Sequence, residues 1–170
     1  MHKVEHDSET PARGQQVITA VAFIHTEIDG VRKVFLPKRA DTKKFLPGVY
    51  ELPGGHIDFG EDIEAGLARE IKEELGMVVK IGDVYAAFTY TNDVKGSHSV
   101  ELIYFAQFAD PINDITLHPD DHSGYRWVAE NELHTIYSQQ KGDDDIEYRF
   151  VRRGFELLSG VGLNTAEETV

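Results

Sequence analysis

The chain contains no cysteine. That excludes disulfides, a thiolate nucleophile and cysteine-ligated zinc, and it is consistent with a reducing compartment, so a cytoplasmic location is expected. Positive charge is also scarce. Lys and Arg number 17 against 30 Asp and Glu, for a net charge of −13 over 170 residues. No nucleic-acid polymer is therefore expected as a partner, and any bound polyanion must be met by local cations. Long apolar runs are missing too. The longest, Val17 to Ile24, is interrupted by Thr19 and falls far short of the roughly 20 residues that cross a bilayer. Neither a membrane span nor a signal peptide is visible. A Gly-x-Ser-x-Gly elbow is absent, which argues against a serine hydrolase.

What is present is enough chain for one domain with a sizeable core. Residues 1–16 and 161–170 are polar and without periodicity, so both ends are expected to be loosely ordered around a single domain at 17–160. Segments 16–26 and 31–37 are rich in β-branched residues and flank Asp29-Gly30, a hairpin turn signal. Residues 38–60 are punctuated by Pro47, Pro53, Gly48, Gly54, Gly55 and Gly60, and read as loop around one short strand at 49–52. A helix follows at 62–75, then long strands at 78–91 and 99–109. Short strands are expected at 112–117 and 125–128, a short helix at 130–137 and an amphipathic helix at 146–158. The fold class is mixed α/β.

The segment at 62–75 carries the chemistry. At about 100° per residue, Ile63, Leu67, Ile71 and Leu75 share one stripe, while Glu70, Glu73 and Glu74 share the adjoining one. Like charges three and four residues apart repel, and Lys72 lies on the opposite side, so these acids are clustered at some expense in stability. Hard divalent cations want carboxylate oxygens, and Mg²⁺ binds through a few of them together with substrate phosphates. Gly66 falls on the acidic face and leaves a gap there, through which a ligand is expected to reach the helix backbone.

Gly55, five residues, Glu61, seven residues, then Arg69-Glu70-Ile71-Lys72-Glu73-Glu74-Leu75-Gly76-Met77 resembles the signature box of the Nudix family at every fixed position. With about one chance in twenty at each of seven identities and about one in three at two apolar positions, coincidence is on the order of one in ten million. Looser similarity at 46–54, 125–128 and 132–133 extends the resemblance over most of the chain. The resemblance implies a Nudix-type α/β/α sandwich with a mixed β-sheet. It also implies hydrolysis of a nucleoside diphosphate linked to a variable group, with Mg²⁺ as cofactor and Mn²⁺ as a substitute. Such a linkage is shielded by its own charge, so the oxygens must be neutralised, a water aligned and its proton removed.

By the same resemblance, Glu70, Glu73 and Glu74 bind metal or act as base, and Gly55 joins them on the metal side. Arg69 orients a glutamate by a bidentate pair, and Glu61 supports the loop–helix junction or a further metal. Gly54, Gly55 and Gly60 let the loop turn under the phosphates. Arg39 and Tyr90 are expected to contact substrate, with Lys38 beside the first. Tyr85, Phe88, Tyr90, Tyr125 and Trp127 are base-stacking candidates whose alternative is the core. His118 and His122 straddle Pro119 in a loop and do not form a helical metal pair.

The stretch 53–61 looks most like family members that clean nucleoside triphosphates. ADP-ribose, dinucleoside polyphosphates and nucleotide sugars stay open, although the proline some ADP-ribose hydrolases carry beyond the box is missing near Asn92. Two other classes are weaker. A nucleotide sensor of this fold would have lost acids that are all present here, and an isopentenyl diphosphate isomerase-like enzyme would need a cysteine. The oligomeric state is open, a homodimer included. An additional carboxylate from outside the helix is expected to complete the site, with Asp121 first, Asp120 close behind and Glu101, a charge in an otherwise apolar strand, as the rival.

Overall fold

The computed structural model describes residues 9–140 and 145–162. Strand β1 (Gln16–Ile28) and strand β2 (Val31–Arg39) form the expected hairpin. Asp29 and Gly30 both adopt positive φ, 52° and 76°, the backbone of a tight primed turn whose twist matches its strands. β3 (Gly54–His56), helix α1 (Ile63–Leu75), β4 (Val79–Asn92), β5 (Ser97–Phe108), β6 (His122–Ala129), α2 (Leu133–Gln140) and α3 (Ile146–Leu158) follow. The strands lie in the order β4-β5-β1-β2-β6, and β3 pairs with β1. β1 and β5 run parallel while every other pair is antiparallel, so the sheet is mixed.

β1 is central because both its faces are apolar. Ala20, Ala22 and Ile24 pack with Leu67, Ile71 and Leu75 of α1, whereas Val21 and Phe23 point the other way, against Val151 and Phe155 of α3 and Tyr137 of α2. Two cores on opposite faces of one sheet make a three-layer α/β/α sandwich. A strand buried on both faces reads as a continuous apolar run rather than an alternating one. That is why 17–24 is the longest such run in a chain whose described residues contain no helix long and apolar enough to cross a membrane.

Three local expectations are corrected. Segment 49–52 forms no strand. Its single bridge joins Tyr50 to Lys38, and the strand here is instead the glycine-rich Gly54–His56, which has no strand propensity and owes its conformation to pairing with Thr19, Ala20 and Val21. Segment 112–117 forms no strand either: Pro111 leads into a short 3₁₀ turn at Ile112–Asp114, and Thr116 and His118 then donate backbone hydrogen bonds to the carbonyls of Leu75 and Glu74. These caps satisfy the last turn of α1. Finally, the space beside Gly66 is not open to a ligand. A Cβ there would sit 2.7 Å from Ile57 Cδ1 and 2.8 Å from Glu61 Oε2, so the loop leading into α1 fills it. The expectation for the chain ends falls mostly on 1–8 and 163–170, outside the described residues.

Candidate active site

α1 begins where Asp62 caps it, the side chain accepting a hydrogen bond from the Ala65 backbone N at 3.0 Å. It ends at Gly76 in the left-handed conformation, φ 66°, a common helix terminus. Leu67, Ile71 and Leu75 are fully buried, and that anchorage sets the direction in which Arg69, Glu70, Glu73 and Glu74 project.

Arg69 organises the entrance. Its Nε and Nη2 donate to the two oxygens of Glu61 at 2.8 and 3.0 Å, its Nη2 also to the His56 carbonyl at 3.0 Å, and its Nη1 to Glu70 at 2.9 Å and Glu73 at 3.3 Å. One fork-shaped cation thus ties loop, helix start and two of the three helix acids. Glu61 in turn accepts from the Asp58 backbone N at 2.9 Å, which closes the loop before the helix. Glu61 and then Glu70 hold the guanidinium firmly protonated.

Gly55 is required by Glu70. A Cβ at Gly55 would lie 2.6 Å from Glu70 Oε2. Burial pushes the Glu70 carboxyl up, with Arg69 opposing the shift. Burial pushes Glu74 further, well above the usual carboxylate range, and Glu51, Glu70 and Asp121 add their repulsion. Glu74 Oε2 is fully occluded and has no hydrogen-bond partner. An acceptor in that position costs roughly 1–3 kcal/mol, more if charged. The donor set is therefore unfinished in a particular way: several hard oxygens, one of them orphaned, with too little positive charge among them. Divalent cations suit such a set. Among the described residues no three His, Asp or Glu side chains are already placed as a set that would hold a metal ion.

Glu51 was not singled out from sequence, yet it stands in this group. Arg39 Nη1 donates to its two oxygens at 3.2 and 3.4 Å, and His122 Nε2 lies 3.3 Å from Oε1. Burial would raise its carboxyl, but Arg39 and His122 together hold it below the usual range. Asp121 meets Lys43 Nζ at 2.8 Å and His118 Nδ1 at 3.1 Å, and its charge is felt at both Glu70 and Glu74. Asp120 is exposed and does not line the cavity described next. His118 and His122 serve these two carboxylates from a loop and a strand end.

A cavity of about 550 Å³ begins at these acids, passes Gly54, Gly55 and His56, and continues over the sheet face that α3 covers. Its acidic end holds Glu51, Glu70, Glu73, Glu74 and Asp121 with Arg39, Lys43 and Arg69. Its other end holds Phe45, Leu46, Phe88, Tyr90, Thr19 and Glu101. The volume lies in the range of small-molecule sites. Lys38 lines no part of it. Tyr85 is packed in the α3-side core, its hydroxyl donating to the Phe150 carbonyl at 3.0 Å. Trp127 packs at 5.3 Å from Phe35, and Tyr125 at 5.1 Å from the same ring, so of the stacking candidates only Phe88 and Tyr90 line the cavity.

Comparison with known proteins agrees with this geometry. Residues 17–153 match the model of the NUDIX domain. The chain is 33% identical over 106 residues, 58% of its length and 74% of the relative's, to the nucleoside triphosphatase NudI of Salmonella paratyphi B. Its fold is similar to that of a C. elegans Ap4A hydrolase in a binary complex (TM-score 0.66, 24% identity, 85% of this chain and 98% of that one). It is also similar to a MutT protein from Methanosarcina mazei Go1 (TM-score 0.65, 20% identity, 89% and 98%). The chain is a member of the Nudix hydrolase family, an enzyme that cleaves phosphoanhydride bonds of nucleotide-type substrates in a family that generally uses divalent metal ions.

Proposed function

We propose that this enzyme is a Mg²⁺-dependent nucleoside triphosphate pyrophosphohydrolase that releases the nucleoside monophosphate, with Mn²⁺ able to replace Mg²⁺. The observation that carries the metal reading is the occluded, partnerless Oε2 of Glu74 among Glu51, Glu70 and Asp121. The triphosphate reading is supported by the likeness to NudI and by one cavity of about 550 Å³ that joins the acids to an aromatic end.

In this reading Glu70, Glu73 and Glu74 hold the metal beside the Gly55 backbone, and Asp121 is the carboxylate recruited from outside the helix. A divalent metal held by these residues would supply charge neutralisation for the phosphate oxygens and a more acidic water. Arg69 keeps Glu70 and Glu73 in place, while Arg39 and Lys43 supply the cations that a phosphate chain needs in a chain of this net charge. The base that takes the proton from the attacking water is one of the same helix glutamates. Tyr90 lines the nucleoside end.

The test is a screen of nucleoside triphosphates, ADP-ribose, dinucleoside polyphosphates and nucleotide sugars with Mg²⁺, run for wild type, Glu73→Gln and Glu74→Gln. Triphosphates should be the best substrates, and each substitution should lower kcat by at least about 100-fold without loss of the fold. Comparable turnover in both variants would remove these glutamates from the chemistry.

A further inference from the structure

Glu51 stands among acids that it repels, and the metal and base roles proposed above leave it unassigned. Of the charges that push the Glu74 carboxyl up, Glu51 contributes most, ahead of Glu70 and Asp121. What it meets is Arg39. Arg39 Nη1 donates to both its oxygens, at 3.2 and 3.4 Å, and His122 Nε2 lies 3.3 Å from Oε1. The side chains of Arg39 and Glu51 are only 11% and 22% exposed, so water screens this pair far less than it would at the surface. The backbone fixes both partners as well: the Glu51 N donates to the Pro37 carbonyl at 3.1 Å, and the Arg39 N to the Val49 carbonyl at 2.8 Å. Arg39 is held by a second segment too, since its Nε donates to the Phe45 carbonyl at 3.0 Å and its guanidinium lies 5.9 Å from the centre of the Phe45 ring. All four residues line the cavity. Arg39 therefore touches the acidic end through Glu51 and the aromatic end through Phe45.

In a nucleotide that spans this cavity, the phosphate attached to the nucleoside falls between the two ends. An arginine side chain has many rotamers, and a phosphate gains from it only what is left after it is ordered. Here the disorder would also be biased. The charge of Arg39 already reaches Glu74, and Glu70, Glu73 and Asp121 line the same end, so a guanidinium released from Glu51 would settle on the acids that a metal needs. We infer that Glu51 is a positioning residue that holds Arg39 at the junction of the two ends, against the phosphate attached to the nucleoside, and keeps it off the helix glutamates. This assignment rests on the nucleotide reading of the cavity and names the phosphate that Arg39 takes.

The experiment measures kcat and KM for ATP, GTP, CTP and UTP in Mg²⁺ with wild type, Glu51→Gln, Arg39→Gln and the double variant, each checked for folding by its Tm. Alongside, the four corresponding monophosphates and nucleosides are titrated in chelator, where no turnover contributes. Glutamine fills the space of Glu51 but withdraws its charge. For the best substrate, Glu51→Gln should raise KM at least about tenfold with kcat within about threefold of wild type, and should weaken the monophosphate, but not the nucleoside, by a similar factor. In the Arg39→Gln background the same change should add less than about twofold, because its effect passes through Arg39. A lower KM or a tighter monophosphate in Glu51→Gln overturns the assignment, since Glu51 would then merely neutralise Arg39 and rival the phosphate for it. An unchanged KM and monophosphate affinity with a lowered Tm overturns it as well, because the ion pair would then serve the fold alone. So does a kcat loss of about 100-fold that persists without Arg39, which would put Glu51 in the chemistry itself. If no triphosphate is hydrolysed but Glu51→Gln weakens the monophosphate and spares the nucleoside, the triphosphate reading fails while the positioning role stands.

Discussion

Glu74 is the residue at which burial and charge meet most directly. Because its folded carboxyl binds a proton more tightly than the unfolded one, the stability it contributes is fully present below the unfolded value, about pH 4.3, and is lost as pH rises through the folded value. Glutamine resembles the protonated form. In chelator at neutral pH, Glu74→Gln should therefore raise Tm. Near pH 4 or below, the same substitution should leave Tm unchanged, and a thermal scan at the two pH values decides it. Loss of Tm at neutral pH would mean that Glu74 makes a stabilising contact rather than bearing an unrelieved charge. Glu70, Glu73 and Glu74 were legible in the sequence because helical spacing alone places them on one face. Glu51 was not, since its role comes from Arg39 and from His122, 71 residues away. Lys43 was not either: it finds Asp121 across 78 residues, and sequence spacing carries no trace of such a pairing. Lys95, 1% exposed with Nζ 3.4 Å from His56 Nε2, sits in a turn whose composition reads as solvated.

At the level of elements, α1 was readable end to end because its cap, apolar stripe and terminal glycine agree. Asp62→Ala removes the cap and should cost about 1 kcal/mol, seen as a Tm about 2–4 °C lower for a chain of this size, with kcat unchanged at temperatures where the protein is folded. β3 was unreadable, since two glycines and a histidine form a strand only because β1 offers an edge. Its glycines do different things. Gly54 has φ 142°, and a Cβ would fall 2.2 Å from the Ala20 carbonyl oxygen, backbone that cannot step aside. At Gly55 the obstacle is the Glu70 carboxylate, the end of a side chain. Gly54→Ala should therefore lower Tm strongly, whereas Gly55→Ala should keep most of the stability and lose activity as Glu70 is displaced from Arg69. Melting curves and turnover measured on both variants would show the crossover. Equal losses of Tm would contradict it. The turn that carries Phe45 contains Leu46 at φ 48°, a conformation that costs a residue other than glycine roughly 1–2 kcal/mol, and both side chains line the cavity.

Across the whole molecule, the sheet separates two apolar cores, and the cavity runs from the acidic face of the helix on one side to the aromatic floor under α3 on the other. The layering followed from a central strand with no polar face. The aromatic floor did not, because it depends on the register that sets Phe88, Glu101 and Thr19 in line. A net charge of −13 repels a triphosphate, and Arg39, Lys43 and Arg69 each share their charge with a carboxylate, so these cations alone do not neutralise a phosphate chain, and substrate binding and turnover should both depend on added divalent metal. The most direct measurement follows the products of a triphosphate by ³¹P NMR, with Mg²⁺ and with excess chelator. The account predicts nucleoside monophosphate and pyrophosphate in Mg²⁺, no turnover in chelator, and recovery when Mg²⁺ or Mn²⁺ is restored. Full turnover in chelator, or release of nucleoside diphosphate and inorganic phosphate instead, would contradict it.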